Sequence, residues 1–136
     1  MKRFADTFYF LALLNPKDSA HAVALAHSSG ANTIVTTEWI LTEIADALAL
    51  HTTRQSFLNL YQILRAGLDV QIVPASAELF ARGVEFYGGR PDKDWSLTDC
   101  ISFLVMVDYG ITEALTGDHH FEQAGFRALL EQERGG

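Results

Sequence analysis

The amino-acid sequence predicts an α/β protein in which helices cover both faces of a central, mainly parallel sheet. Short apolar segments with strand character alternate with helical segments along the whole chain, and this order is typical of parallel strands joined by helices. Of the 136 residues, 49% are hydrophobic and 20% are charged, a composition typical of a globular protein. The length, and the lack of repeats or linkers, predict one domain over residues 1–136.

The first half of the chain predicts two strands and three helices. In order, we expect a strand over 4–6, helices over 8–14 and about 19–27, a strand over 33–36 and a helix over about 38–50. Asp18 or Ser19 can cap the second of these helices. In the third helix, the apolar stripe places Glu43 at its edge and Asp46 toward solvent.

The second half predicts three more helices and three more strands. The helices are expected over 53–66, 75–87 and 97–109, and the strands over 70–73, 111–116 and 125–130. Thr52 and Gln55 have the spacing of a capping box at the start of the first of these helices. Residues 88–93, GGRPDK, lack periodicity and are expected to be a loop, and the tail 131–136 is expected to be loose.

The stretch 94–121 is the most informative. Ser96 has the character of a helix N-cap, and Asp99, three residues later, can complete a capping box. The following residues are apolar except Ser102, so this helix should be buried nearly all round, and Gly110 should end it. Periodicity alone also permits a buried strand over 101–107. The cap before the segment and the glycine after it favour the helix.

Charge and cysteine content restrict the function and the compartment. The net charge of −7 argues against binding nucleic acid through a broad basic face, although it permits a nucleic-acid enzyme whose acids a metal neutralises. The single cysteine, Cys100, can form no intramolecular disulfide and is expected to be a small buried hydrophobe in a cytoplasmic protein. Asp6 interrupts the approach to the first apolar run, which argues against a signal peptide, and no run reaches the ~18 residues that span a bilayer.

Acidic side chains fall at one edge of the predicted sheet. Ligands of parallel α/β sheets bind at the carboxyl ends of the strands, where Asp6 and Asp118 follow the first and fourth strands. The helices that carry Glu43 and Asp99 begin at the same edge, and Asp94 can also reach it. Each of these acids has a simpler explanation as well: Asp99 as a helix cap, Asp118 as a turn residue and Glu43 as a surface acid.

Convergence of Asp6, Glu43, Asp99 and Asp118, hereafter the four acids, has a chemical consequence. Clustered carboxylates without basic partners repel one another unless cations bind. Ligation by oxygen atoms alone suits Mg²⁺ or Mn²⁺, and such ions hold phosphates and lower the pKa of a bound water. The pattern therefore predicts phosphoester hydrolysis, with the four acids as catalytic and metal-binding residues.

Other residues near the acids are more ambiguous. His119 and His120 adjoin Asp118 and can contact substrate or metal, but a solvated loop explains them more simply. Arg90 and Lys93 are basic residues ahead of the site that can bind substrate phosphates. A charged loop explains these two equally well.

These residues, taken together, resemble the PIN-domain ribonucleases of the VapC toxin type. The resemblance covers essentially the full length. It rests on Asp6-Thr7 after the first strand and on Glu43 in the helix after TIVTT. It rests most specifically on DWSLTDCISF, which contains Asp99, and on ALTGDHHFEQAGF, which contains Asp118.

The resemblance implies roles for individual residues. The four acids match the metal-binding acids of the family one by one, with Asp6, Asp99 and Asp118 holding the metal and Glu43 as a further ligand or a base that positions water. Asp94 and Thr116 match positions near the site. At a third position, Phe8 stands where many members carry a small polar residue.

The resemblance also implies a fold, an activity and partners. The fold would be a three-layer α/β/α sandwich, and the activity Mg²⁺- or Mn²⁺-dependent endonucleolytic cleavage of RNA. Members usually form homodimers, and the toxins are held inactive by a cognate antitoxin protein that inserts a segment, often with a basic residue, near the acids.

Four other functions are open to a chain with this pattern. A PIN-like module that binds RNA or protein without catalysis is one, although all four acids are present. Haloacid-dehalogenase-like hydrolases need Asp-x-Asp after the first strand, whereas Asp6-Thr7-Phe8 lacks the second acid, and a receiver domain needs a lysine after a late strand, which is missing here. Structure-specific DNA nucleases share the acid geometry but usually need a longer chain.

Overall fold

A computed structural model describes residues 1–30 and 32–131, and in this part of the chain five strands form one sheet flanked by seven helices. The strands are β1 (Lys2–Ala5), β2 (Thr33–Thr37), β3 (Val70–Val73), β4 (Glu113–Leu115) and β5 (Arg127–Ala128). The helices are α1 (Thr7–Leu14), α2 (His21–Ser28), α3 (Glu38–Ala47), α4 (Arg54–Ala66), α5 (Ala77–Gly89), α6 (Leu97–Asp108) and α7 (His119–Gln123). The predicted three-layer α/β/α architecture is confirmed.

The sheet is parallel throughout and has the strand order β3-β2-β1-β4-β5. The apolar strand β1 lies at its centre, and Phe4 pairs with Val35 of β2 on one side and with Ala114 of β4 on the other. The chain runs from β1 to β2 on one side and later returns to β4 on the other. A crevice therefore opens between the carboxyl ends of β1 and β4, which is where ligands bind in sheets of this kind.

Helix α6 forms a large part of the core and confirms the helical interpretation of its sequence over the strand alternative. Both halves of the predicted capping box are present: the Ser96 hydroxyl accepts from the backbone N–H of Asp99, and the Asp99 carboxylate accepts from the backbone N–H of Ser96. Gly110, with a φ of 66°, follows the end of the helix as predicted, because the left-handed conformation there favours glycine. The ring of Phe103 packs edge-on against those of Trp95 and Phe121.

Two predicted helix caps are wrong. Helix α4 begins after Thr53 instead of Thr52, the hydroxyl of Thr53 donates back to preceding carbonyls, and Gln55 donates to the side chain of Asn59, so α4 has no capping box. Helix α2 starts after Ala20 and has no side-chain cap, because Asp18 instead accepts from the backbone N–H of Ala20 in the preceding turn. At α2, a local turn thus uses the polar side chain that the cap would need.

Several predicted boundaries also differ from those in the structure. Helix α3 ends at Ala47 instead of residue 50, and α5 continues through both glycines of GGRPDK, so the predicted loop begins at Arg90. The strands predicted over 111–116 and 125–130 are present as the shorter β4 and β5. The expected loose tail falls mainly on 132–136, outside the described residues.

No helix among the described residues combines the length and apolar character needed to cross a membrane.

Candidate active site

The four acids face one open cavity of about 550 Å³ at the carboxyl ends of β1 and β4, hereafter the acid cavity. Its wall consists of side chains from the start of α1, from α3, from the start of α6 and from the β4–α7 junction: Asp6, Thr7, Phe8, Glu43, Asp94, Ser96, Asp99, Asp118 and His120. Among the described residues that form this wall, none is a lysine or arginine. The structure therefore brings together the four acids and Asp94, as the sequence predicted, and surrounds them with an excess of negative charge.

Asp6 is the most deeply buried of these acids, with 7% of its surface exposed. It stands between β1 and α1 at the N-cap position of α1, but its side chain does not cap the helix. The carboxylate instead accepts a hydrogen bond of 2.8 Å from the hydroxyl of Thr116, which is wholly buried. The same hydroxyl oxygen accepts from the backbone N–H of Asp118 at 3.1 Å. One threonine thus connects two acids from different loops.

Burial raises the pKa of Asp6 from its ordinary value of 3.8 to about 7. The hydrogen bond from Thr116 opposes this shift, whereas the negative charges of Asp99 and Glu43 add to it. Carboxyl groups with a strongly raised pKa are common at functional sites, and a bound cation would lower the pKa again.

Glu43 reaches the acid cavity from the second turn of α3. Its Oε1 accepts a hydrogen bond of 2.6 Å from the hydroxyl of Thr7, which fixes the carboxylate against the start of α1. Burial raises the pKa of Glu43, and the charges of nearby acids, Asp99 foremost, add to this effect against the hydrogen bond from Thr7. As the apolar stripe predicted, Glu43 is half-buried and Asp46 is exposed.

Asp99 does more than cap its helix. Its Oδ2 accepts from the backbone N–H of Ser96 at 3.1 Å and also lies 3.2 Å from Nδ1 of His120. Burial raises the pKa of Asp99, the Ser96 N–H opposes the shift, and the charge of Asp118 adds to it. Asp99 therefore caps α6 and at the same time lines the acid cavity.

Asp118 is the N-cap of α7, a helix that the sequence did not predict. Its Oδ1 accepts from the backbone N–H of His120 at 2.9 Å and lies 3.4 Å from the imidazole Nδ1 of the same residue. The side chain of His120 is 21% exposed and belongs to the cavity wall, so a solvated loop does not describe it. His119 is solvated, with 63% of its side chain exposed, but it opens α7 instead of lying in a loop.

The donor set of the acid cavity fits a hard divalent cation. Oxygen ligands from carboxylates suit Mg²⁺ or Mn²⁺. Among the described residues, the one group whose potential ligand atoms all lie within 4.8 Å of one another is Asp118, His119 and His120. No three of the four acids meet the same distance criterion among the described residues, and Mg²⁺ usually keeps several of its waters, through which a carboxylate can also hold it.

The basic residues predicted to bind substrate lie outside the wall of the acid cavity. Arg90 makes two hydrogen bonds of 3.0 Å to the carboxylate of Asp92, and its guanidinium lies 4.9 Å from the ring centre of Trp95. Lys93 precedes Asp94, a residue of the cavity wall, and its ammonium lies 6.0 Å from the same ring. Trp95 itself is buried and donates its indole N–H to Gln123, so it packs in the core.

The hydrogen bonds that hold the acids were not predicted from the sequence. A threonine two residues before Asp118 is the spacing of a local turn in which a hydroxyl accepts from the backbone, so the bond between Thr116 and Asp118 was open to prediction. The bond between Thr7 and Glu43 joins residues 36 positions apart, and no local pattern indicates it.

Comparison with known proteins gives the family and the fold. A family model described as PIN domain matches residues 3–127. The crystal structure of VapC20 of Mycobacterium tuberculosis, a toxin that cleaves the sarcin–ricin loop, has 25% sequence identity and a TM-score of 0.82, over 93% of this chain and 96% of that one.

Two further solved structures share the fold at lower identity. They are VapBC2 from Rickettsia felis bound to a promoter DNA fragment, with 14% identity and a TM-score of 0.67, and FitAcB from Neisseria gonorrhoeae, with 18% identity and a TM-score of 0.63. Each match covers 94% of this chain and 96% of the other. No curated protein matches the chain by sequence.

Proposed function

The chain belongs to the PIN-domain family, and from this membership we propose that it is a metal-dependent endoribonuclease, the toxin of a toxin–antitoxin pair. The observation that carries the proposal is the convergence of four carboxylates from separate parts of the chain on one cavity whose described wall contains no lysine or arginine. Carboxylates this close together repel one another unless a cation binds between them. The likeness to VapC20 supports RNA as the substrate.

Each residue of the site has a separate role in the proposed hydrolysis of the phosphodiester. Asp6, Asp99 and Asp118 would hold Mg²⁺ or Mn²⁺, which when bound would neutralise the substrate phosphate and favour loss of a proton from the attacking water. Thr116 orients Asp6 through its hydroxyl. Glu43, held by Thr7, accepts the proton of that water, and its raised pKa suits this task. The water oxygen bonds to phosphorus, the bond from phosphorus to the leaving oxygen breaks, and that oxygen takes a proton from solvent.

Single-turnover cleavage tests this proposal. The substrates are a labelled hairpin with the sequence of the sarcin–ricin loop, chosen because of the likeness to VapC20, and total RNA. Each is incubated with Mg²⁺, with Mn²⁺ and with EDTA. Cleavage should require the metal, should be lost in Asp6→Asn and should persist in Asp46→Asn, which removes the same charge from the exposed face of α3. Equal cleavage by wild type and Asp6→Asn would overturn the assignment. A folded wild-type protein that binds RNA but cleaves none would favour a binding module.

Lys93 is the better candidate of the two basic residues for a phosphate contact. Its neighbour Asp94 belongs to the cavity wall, whereas the guanidinium of Arg90 is already paired with Asp92. An ammonium at the edge of an acidic cavity can hold a phosphate that flanks the cleaved bond.

The proposal includes two protein partners. A cognate antitoxin inhibits the enzyme by placing a lysine or arginine among the four acids, where the excess of negative charge favours it. A second copy of the chain binds through α5, where the apolar side chains of Phe80, Val84 and Tyr87 are 45–52% exposed at helical spacing. An exposed apolar stripe of this kind is typical of a protein interface.

A further inference from the structure

Phe8 is an aromatic side chain in an otherwise polar cavity wall. It occupies the second position of α1, beside Thr7, and is 36% exposed, whereas its neighbours Tyr9 and Phe10 on the same helix are each 1% exposed. The helix therefore buries its other aromatic rings in the core and leaves this one beside the acids. The core does not require a ring there.

Phe8 also belongs to a second cavity. This cavity, hereafter the flanking cavity, has a volume of about 250 Å³ and is lined by Phe8, Ser19, Ala20, Gly117, His119, Leu130 and Glu131. Phe8 is the residue common to the described walls of both cavities. Its ring therefore lies where the acid cavity meets the flanking cavity, whose wall includes His119.

The position of the ring depends on Gly117. A Cβ atom at residue 117 would lie 2.5 Å from Cζ of Phe8 and 2.7 Å from Cε1. Non-bonded carbon atoms do not approach this closely, so any side chain at residue 117 would displace the ring. Gly117 immediately precedes Asp118, and the position of the ring is thus tied to the loop that carries an acid of the site.

The charge of the protein increases the value of such a ring for RNA binding. The chain has a net charge of −7, and the described wall of the acid cavity offers RNA no cation. Apart from the proposed metal ion and Lys93, charge neutralisation of phosphates, which usually supplies much of the affinity for nucleic acids, therefore has few groups to supply it here. Stacking of a base on an aromatic side chain supplies affinity without charge and tolerates any base.

We propose that Phe8 stacks against the nucleobase next to the cleaved phosphate and that this base enters the flanking cavity. The inference rests on the proposed ribonuclease function and assigns to Phe8 the positioning of single-stranded RNA across the four acids. A base held on the ring would place the adjoining phosphate over the acid cavity, because the two cavities meet at Phe8.

A binding experiment tests the proposal without requiring cleavage. Fluorescein-labelled single-stranded RNA oligonucleotides, each with one abasic position moved along the chain, are titrated by anisotropy into Asp6→Asn protein, with and without Phe8→Leu. Phe8→Leu should weaken binding of intact RNA about 5- to 150-fold, the range that corresponds to base–aromatic stacking. RNA with the abasic position at the stacked nucleotide should bind weakly to both proteins, so that the two changes do not add.

Rescue and control variants separate stacking from a structural role. Phe8→Tyr and Phe8→Trp, which keep a ring, should restore most of the affinity. Leu25→Ala removes a comparably exposed apolar side chain, 48% exposed on α2, and should change nothing. The inference is overturned if Phe8→Leu binds intact RNA as tightly as its parent, if no abasic position abolishes its effect, or if the aromatic variants fail to rescue. The proposed function fails separately, when wild type cleaves no RNA in the presence of metal.

Discussion

Burial of Asp6 in the site lowers the stability of the metal-free fold at neutral and alkaline pH. The unfolded chain releases the Asp6 proton near pH 3.8, whereas the folded, metal-free protein releases it near pH 7 because the carboxyl is buried. Between these values the folded state binds more protons than the unfolded state, so the free energy of unfolding decreases as the pH rises. The decrease is complete above about pH 7, where it amounts to up to about 4 kcal/mol.

Asp6→Asn should therefore stabilise the metal-free protein, and more so at pH 8 than at pH 5. Urea unfolding in EDTA at the two pH values measures this difference. Asp46→Asn, on the exposed face of α3, should show no such pH-dependent gain. An equal effect of Asp6→Asn at both pH values would contradict the raised pKa.

Thr116→Val should impair both stability and activity. Valine keeps the shape of threonine but leaves the Asp6 carboxylate and the backbone N–H of Asp118 without their shared partner. We expect a loss of about 1–3 kcal/mol in the free energy of unfolding and a decrease of about 10- to 100-fold in single-turnover cleavage, as is typical when a group that supports a metal ligand is removed. Thr116→Ser keeps the hydroxyl and should retain most of both. Unchanged cleavage by the valine variant would exclude this role.

At the scale of elements, prediction succeeded where one signal covered a whole helix or strand. The capping box and the apolar run of α6 agreed with each other, and the structure has the helix that they predicted. The four acids were likewise predicted to meet, because chain order in a parallel α/β sheet fixes the edge at which each element begins or ends. The family prediction is confirmed by the match over residues 3–127.

Prediction failed for short elements, for the start of one helix and for a contact between distant residues. Helix α7 has only five residues, too few for periodicity to identify it. Thr52 and Gln55 had the spacing of a capping box, but α4 begins one residue later, after Thr53, and local sequence does not fix a helix start to one residue. The contact between Phe8 and Gly117 joins distant residues and depends on tertiary packing alone.

Two glycines of α5 should respond to alanine in opposite ways. A Cβ atom at Gly83 would lie 2.5 Å from Cγ1 of Ile101 in α6, whereas a Cβ at Gly88 would have no neighbour within 4 Å. Gly83→Ala should therefore destabilise the protein by about 1–2 kcal/mol through overpacking. Gly88→Ala should stabilise it by up to about 1 kcal/mol, because alanine favours the helix. Chemical denaturation of the two variants measures both changes, and destabilisation by both would show that the space at Gly88 is not free.

At the scale of the whole molecule, the proposed dimer depends on α5. Val84→Glu places a charge in the middle of the exposed stripe formed with Phe80 and Tyr87. We expect the wild type to sediment as a dimer and Val84→Glu to shift it to a monomer with unchanged secondary structure. Leu25→Glu, an equivalent change on the exposed side of α2, should leave the dimer intact. A wild-type monomer at all concentrations would exclude the interface.

The only thiol in the sequence, Cys100, directly follows Asp99, so its reactivity can be used to follow metal binding at the site. Cys100 is 1% exposed in α6, and burial together with the charge of Asp99 raises the pKa of its thiol. A thiol reagent can therefore react with it only when α6 unfolds locally, so the labelling rate measures how often this happens. Mn²⁺ bound at Asp99 should slow labelling in proportion to occupancy, without any RNA. Mass spectrometry of the labelled, otherwise unmodified protein would thus measure its affinity for the metal. If the labelling rate of Cys100 is the same with and without Mn²⁺, the ion does not bind at Asp99.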